Sequence, residues 1–274
     1  MPAKDIQFEE QHLKKIAEIA YDLTGISLPD SKLPLIYSRL ARRLRTLKLN
    51  GFDEYCTLLV SNEGQSERKE LYTALTTNVT SFFREEHHFE YLRTEVFPEL
   101  GQKAASGARI RIWCSACSSG QEAYCLAMTW LEACPDSAGR DVRILASDLD
   151  PNILAKAQAG EYDKSTTERI ESRYKKYFEE RPGNIVRPVK KVRDLIAFRQ
   201  LNLVKDWPFK GKFDVIMCRN VAIYFDQDIQ SVLWNRFADN MNTNGTLLIG
   251  HSERLCGPSV NRFESCGITT YSLQ

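Results

Sequence analysis

The sequence predicts an α/β fold: an open, mostly parallel sheet flanked by helices, with an all-helical region ahead of it and a small β element inserted in it. Three observations predict this. From residue 106 short apolar runs alternate with amphipathic segments in the order strand, helix, strand, helix, as parallel strands with helical crossovers read in sequence. Residues 1–90 instead space their apolar side chains as helices do. The more polar stretch 161–200 ends in NIVRPVKKVRDLIAFRQ, two short strands joined by a charged turn, which places a small inserted antiparallel β subdomain at 183–200.

In chain order, IQFEEQHLKKIAEIAYDLTG sets Phe8, Leu13, Ile16, Ile19, Ala20 and Leu23 near helical spacing, with Gly25 as the stop. Residues 31–48, SKLPLIYSRLARRLRTLK, contain Lys32, Arg39, Arg42, Arg43, Arg45 and Lys48 and no acid. At about 100° per residue, Ile36, Tyr37, Leu40, Leu44 and Leu47 share one side of a helix while Arg39, Arg42 and Arg43 cluster on the other. Solvated faces usually mix signs, so this one predicts an acidic partner surface. FDEYCTLLVS and ERKELYTALTT read as two further helices, broken by NEGQS.

SGARIRIWCSAC is the first strand and SGQEAYCLAMTWLEAC its crossover helix. VRILASDLD is a strand ending in acid, and PNILAKAQAG a helix with proline in its first turn and glycine at its stop. KFDVIMCRN and GTLLIGHS are further strands around the helix DIQSVLWNRFADNM, and FESCGITTYSLQ pairs antiparallel at the sheet edge. The division expected is a helical domain at 1–90 and an α/β domain at 91–274.

The chain has 274 residues, 43% of them apolar, enough for one large core or two modest ones. No run approaches the roughly 18 apolar residues of a membrane span, and MPAKDIQFEEQHLKK lacks a signal-peptide centre, so no membrane insertion and a cytoplasmic location are expected. The eight cysteines lie mostly in apolar runs and read as reduced thiols. Cys114 and Cys117 form a lone C-x-x-C with no second pair to complete a zinc site; a thioredoxin-like role stays open, because WCSAC half satisfies that context. A net charge of +1 argues against nucleic acid as the partner.

Ligands of open α/β sheets lie at the carboxyl ends of the strands. Four junctions there carry candidate chemistry. CSACSSGQE turns tightly at Gly120 before a helix N-terminus, without the G-x-G-x-x-G of a dinucleotide site. ASDLD ends a strand with Asp148, which suits the two hydroxyls of a ribose, while Asp150 before Pro151 caps the next helix. FRQLNL places Asn202 where an amide can read the edge of an adenine, or simply make a turn. CRNVAIYF sets Arg219, Asn220 and Tyr224 directly behind the strand FDVIM. A ribose-type acid without a pyrophosphate cradle favours S-adenosylmethionine over NAD, since the methyl donor has no phosphate and its sulfonium prefers aromatic and carboxylate neighbours.

TTNVTSFFREEHHFEYL, residues 76–92, admits three readings: a metal site, a helix entrance and a pocket wall. No metal is expected, because His87 and His88 are adjacent and point about 100° apart on a helix, with no His-x-x-x-His partner. Ser81 reads as a helix cap with Glu85 and Glu86 in the first turn and Phe89 and Leu92 facing the core.

The chain resembles the CheR-type chemotaxis receptor methyltransferases over nearly its whole length. The motifs are TTNVTSFFRE, CSSGQEAY, ASDLD, FDVIMCRNVAIYFD and LLIGHSE, in the order and at the spacing of that family. The resemblance implies a Rossmann-like S-adenosylmethionine-dependent methyltransferase sheet with an N-terminal all-helical domain. It implies methyl transfer from S-adenosylmethionine to glutamate side chains of chemoreceptor cytoplasmic helices, with S-adenosylhomocysteine as product. It further implies that Asn78, Thr80 and Arg84 line the cofactor pocket, that Glu122 and Asp148 hold its polar ends, that Asn202 and Leu203 lie by the adenine, and that Arg219 and Asn220 complete the site. It places Tyr224 beside the transferred methyl, a position from which it would orient the incoming carboxylate. Arg39, Arg42, Arg43 and Arg45 are then the docking surface for a glutamate-rich receptor helix. The family's usual G-E-E-P-Y-S is Gly120-Gln121-Glu122-Ala123-Tyr124-Cys125 here, one carboxylate and a proline fewer. In some members the β subdomain grips a short peptide at the receptor's C-terminus, a candidate second partner, although 183–200 contain nothing glycine-rich. Two other functions fit parts of the pattern: a receptor-binding module that has lost its chemistry, and a nucleic-acid methyltransferase.

Overall fold

The fold was obtained as a computed structural model, which describes residues 10–28, 33–75, 78–137 and 139–274. Phe8 and Lys32 lie outside the described residues, as do Thr76 and Thr77 of the first motif. The chain forms two compact units, one of residues 1–77 with 224–229, the other of residues 78–223 with 230–274.

The helical unit contains α1 (Glu10–Thr24), α2 (Leu33–Leu47), α3 (Phe52–Val60) and α4 (Gln65–Leu75). Gly25 ends α1 in the left-handed conformation, φ 72°, where a side chain would be strained. Ile16 and Ala20 of α1, Ile36, Leu40 and Leu44 of α2, Tyr55 and Leu59 of α3, and Leu71 of α4 are buried. Two arginines of the basic face of α2 are engaged within the helical unit. Arg43 forks onto Glu67 of α4 through three contacts of 2.8–3.0 Å, and Tyr55 donates to the same carboxylate at 3.1 Å. Arg39 donates to the Ala74 carbonyl at 2.7 Å, near the C-terminus of α4. The missing acids of α2 are supplied by a neighbouring helix, so Arg42 and Arg45 are the exposed arginines of this surface.

The second unit begins at Asn78 rather than near residue 90, because Phe82 and Phe83 anchor the segment to the sheet domain. Phe82 packs edge-on against Tyr162 and Phe178 at 5.0 and 5.2 Å, and Phe83 stacks on Tyr174 at 4.2 Å. Helix α5 (His87–Tyr91) runs through a π turn at Leu92–Val96 into α6 (Phe97–Ala105). There follow β1 (Ile110–Ser115), α7 (Gln121–Ala133), β2 (Val142–Asp148), α8 (Pro151–Ala159), β3 (Tyr162–Asp163), α9 (Ser172–Lys175), β4 (Phe178–Arg181) and β5 (Ile185–Pro188). The chain ends with α10 (Lys190–Arg193), β6 (Ile196–Gln200), β7 (Phe213–Cys218), α11 (Gln227–Asp239), β8 (Met241–Ile249), β9 (Phe263–Gly267) and β10 (Thr270–Leu273).

The main sheet has the order β6-β2-β1-β7-β8-β10-β9. Its first five strands are parallel, and the β9–β10 hairpin adds the antiparallel edge. Central strands buried on both faces read as apolar runs, which is why IRIWCS and FDVIMC were recognisable. The insert differs from expectation. A three-stranded antiparallel sheet, β3-β5-β4, is assembled from 162–163, 178–181 and 185–188, whereas Ile196–Gln200 joins the main sheet beside β2. Trp113 of β1, fully buried, packs against Trp207, Phe209, Phe213 and Phe237 at 4.8–5.4 Å, and its indole donates to Ser147 at 2.8 Å.

Candidate functional site at the strand ends

Strand order reverses between β1 and β7, β2 lying on one side and β7 on the other, so the crevice at their carboxyl ends is the expected ligand position. The turn after β1 is built for close approach. Ala116, Ser118 and Gly120 all take positive φ, and a Cβ on Gly120 would meet Ala157 at 2.9 Å. This brings the Ser118 amide to Asp148, which accepts it at 2.8 Å and accepts the Asp150 amide at 3.0 Å. Burial outweighs those bonds and pushes the Asp148 carboxyl up to about 6. Asp150 caps α8 by accepting from the Asn152 amide, which leaves Asp148 without a capping role.

Arg219, at the end of β7, is the centre of a buried ionic network. Its Nε donates to Glu122 at 2.8 Å, its Nη1 to His88 Nδ1 at 2.9 Å, and Glu85 lies 3.6 Å away. Phe89 stacks beneath the guanidinium at 5.5 Å. The second Glu122 oxygen accepts the Cys114 thiol at 3.3 Å; burial and that carboxylate push the Cys114 thiol well above its usual range, which disfavours the thiolate that nucleophilic or redox chemistry uses. All eight cysteines are free thiols.

Residues 82–86 form tight turns rather than a capped helix entrance, with Phe83 and Glu85 at positive φ, and α5 starts at His87. The turn aims Glu85 inward. One of its oxygens accepts His251 at 2.9 Å and reaches the Asn220 amide at 3.5 Å, while the other is buried with no hydrogen-bond partner. The two histidines are closer than helical geometry implied: their rings lie 4.2 Å apart, and with Glu85 they bring ligand-type atoms within 4.8 Å of one another. The chemistry of the cluster is nevertheless that of an anion–cation network. Burial and Arg219 push His88 down to about 3, so it is neutral; its Nδ1 accepts from Arg219 and its Nε2 faces the Ile268 carbonyl at 3.1 Å. A guanidinium on the ligating nitrogen opposes a metal cation there.

The other expected residues are placed as follows. Asn78, half-buried, offers its carbonyl to Ser118 at 3.5 Å, and Arg84 donates to the Val79 carbonyl at 3.2 Å. Thr80 is half-buried. Asn202 makes the turn bond left open above, accepting from the Val204 amide at 3.1 Å, and Leu203 is buried. Tyr224 ends a short 3-10 helix, Ala222–Tyr224, and belongs to the helical unit, where its carbonyl accepts the Ser27 amide at 2.9 Å. Two residues of the site were not foreseen. Glu85 had been placed in a helical turn, and Glu253, buried within the LLIGHSE motif, had no role assigned. A cavity of about 360 Å³ between Asp214, Asn242, Thr246 and Tyr91 contains none of these residues and lies at the starts of β7 and β8.

The donor set decides which nucleotide-like cofactor fits. Asp148 at the end of β2, Glu122 in the first turn of α7 and Glu85 in the turn before α5 would repel a pyrophosphate but suit the ribose hydroxyls, ammonium and sulfonium of S-adenosylmethionine. The comparisons agree: residues 78–272 match the family described as "CheR methyltransferase, SAM binding domain", and residues 11–76 match its all-alpha domain. The chain belongs to the CheR methyltransferases. A "Probable chemotaxis protein methyltransferase" of Rhizobium etli is 49% identical over 255 residues, 92% of this chain and 95% of the relative. "Chemotaxis protein methyltransferase 2" of Pseudomonas aeruginosa is 39% identical, covering 98% and 95%, and the "Chemotaxis protein methyltransferase" of Escherichia coli 36% identical, covering 98% and 92%. This CheR-family chain is thus a methyltransferase whose cofactor is S-adenosylmethionine. Among its described residues no helix is long and apolar enough to cross a membrane.

Proposed function

We propose that this methyltransferase works in the cytoplasm and esterifies glutamate side chains on the helical cytoplasmic region of chemoreceptors. The observation that carries the reading is the match to both CheR domains in one chain, which joins a methyl-transferring sheet to a helical unit. Asp148 accepts the ribose hydroxyls, Asn202 and Leu203 flank the adenine, and Glu122, Arg84 and Arg219 hold the methionine end. Asn78, Thr80 and Asn220 complete the wall. S-adenosylmethionine, when bound, supplies a methyl group on a positively charged sulfur and leaves as S-adenosylhomocysteine.

The chain's own task is placement. A glutamate with a reference pKa of about 4.3 is ionised at neutral pH, so no side chain has to act as general base. Tyr224, four residues beyond Asn220, orients the incoming carboxylate; alignment of this kind supplies roughly 7–11 kcal/mol in favourable cases. Arg42 and Arg45 steer the glutamate-rich receptor helix, with Arg39 and Arg43 adding positive potential from positions tied to α4. For a receptor C-terminal peptide the place is the edge strand β4, which pairs only with β5 among the described residues.

The test is incubation with methyl-labelled S-adenosylmethionine and receptor cytoplasmic fragments. Label released by mild base, and lost when the receptor glutamates are changed to alanine, is the expected result. Label stable to mild base overturns the ester reading.

A further inference from the structure

The carboxylate of Glu253 accepts four backbone N–H groups. Oε1 takes Val221 at 2.9 Å and Ala222 at 2.7 Å; Oε2 takes Asn220 at 3.0 Å and Gly250 at 2.6 Å. The residue is only 3% exposed. Three of the four donors belong to the chain leaving β7, where Asn220 sits at φ 58° and a 3-10 helix starts at Ala222. The first amides of such a helix have no partner within it, and here a carboxylate 31–33 residues away satisfies them. The fit is close: a Cβ on Gly250 would meet the Asn220 side chain at 2.7 Å and Glu253 Oε2 at 2.8 Å.

We propose that Glu253 is a positioning residue for methyl transfer: by clamping the amides of 220–222 it fixes the segment that carries Tyr224. The inference rests on the reading of Tyr224 given above. Glu253 acts through main chain alone, so its loss displaces the aligned carboxylate more than it weakens the cofactor, which Asp148, Glu122 and Arg84 also hold.

The experiment compares Glu253→Gln, Tyr224→Phe and the double variant with wild type, using receptor fragments and labelled S-adenosylmethionine. Glu253→Gln keeps the shape but exchanges one accepting oxygen for an amide donor that opposes two N–H groups. The expected result at a temperature where the variants are folded is a kcat about 10- to 100-fold lower, with S-adenosylhomocysteine affinity changed less than about fivefold. In the Tyr224→Phe background the same substitution costs markedly less, because both act on one alignment. Full additivity, or a loss that follows the folded fraction, overturns the proposal. If Glu253→Gln does not fold, Gly250→Ala, which crowds the same clamp, is measured against the same criteria. Absence of receptor labelling by wild type would instead sink the functional reading.

Discussion

Two arginine–glutamate networks, one in each unit, use the same side chains to different ends. In the helical unit Glu67 is closed: both oxygens are taken, by the Arg43 fork and the Tyr55 hydroxyl. In the sheet unit Arg219 is shared among Glu122, Glu85 and His88, and one Glu85 oxygen has no hydrogen-bond partner. A closed pair is finished when the protein folds. The open one lies at the ends of parallel strands and keeps one carboxylate oxygen in ion-pair contact with Arg219, at 3.6 Å, without a hydrogen bond, the kind of strained charge arrangement that gathers at functional sites.

The strongest way to break the comparison is Arg219→Ala. It strands two carboxylates in buried surroundings, where removal of one partner costs roughly 3–5 kcal/mol. We expect a lower melting temperature together with an approximately 100-fold or greater loss of S-adenosylhomocysteine affinity by calorimetry. Unchanged affinity would show that the network is as closed as the other. Glu67→Gln is the counterpart. With Arg43 half-exposed and able to regain water, a loss of about 3 kcal/mol in thermal or urea unfolding is expected, with cofactor affinity unchanged. A parallel fall in affinity would contradict a purely structural role.

The pH dependence of cofactor binding sharpens the same contrast. Asp148 is raised to about 6 by burial, and in the proposed role it is the ionised form that would accept ribose hydroxyls. Below that pH the carboxyl is protonated and must lose its proton to bind, so affinity falls by up to about tenfold per pH unit, and it is flat above about 7. For folding the sign is opposite. The raised value means the native state binds more protons than the unfolded chain between 3.8 and about 6, so the contribution of Asp148 to stability declines as pH rises through that window. An Asp148→Asn protein that keeps the acid limb of the binding profile would assign that limb to another group.

What the sequence made legible follows from range. Apolar runs with acids and amides at their ends placed β1, β2 and β7 and the crevice between them, because both signals lie within a few residues. Glu253 was illegible because its partners are backbone amides, which have no side-chain signature. Phe83 and Glu85 take positive φ without being glycine or asparagine, so their turn looked like the start of a helix. The inserted sheet was misplaced because β5 and β6 have similar patterns, and only pairing with residues 162–163 and 178–181, against pairing with β2, tells them apart. The pairing of Arg43 was hidden for a related reason: its acid, Glu67, lies 24 residues away on another helix.

That pairing sets the smallest effect and the cleanest separation. Arg42 and Arg45 are exposed, whereas Arg43 is bound to Glu67, so charge reversal should divide them into two classes. The double variant Arg42→Glu, Arg45→Glu should leave unfolding and cofactor affinity unchanged. Its KM for receptor fragments should rise about tenfold at low ionic strength and approach the wild-type value at high salt, because exposed charges act chiefly on encounter and are screened. Arg43→Glu should instead destabilise the protein at every salt concentration, since it sets two glutamates against each other in a buried place. If both variants lose receptor affinity with the same salt dependence and no loss of stability, Arg43 belongs to the docking surface after all, and the closed pair of the helical unit is open as well.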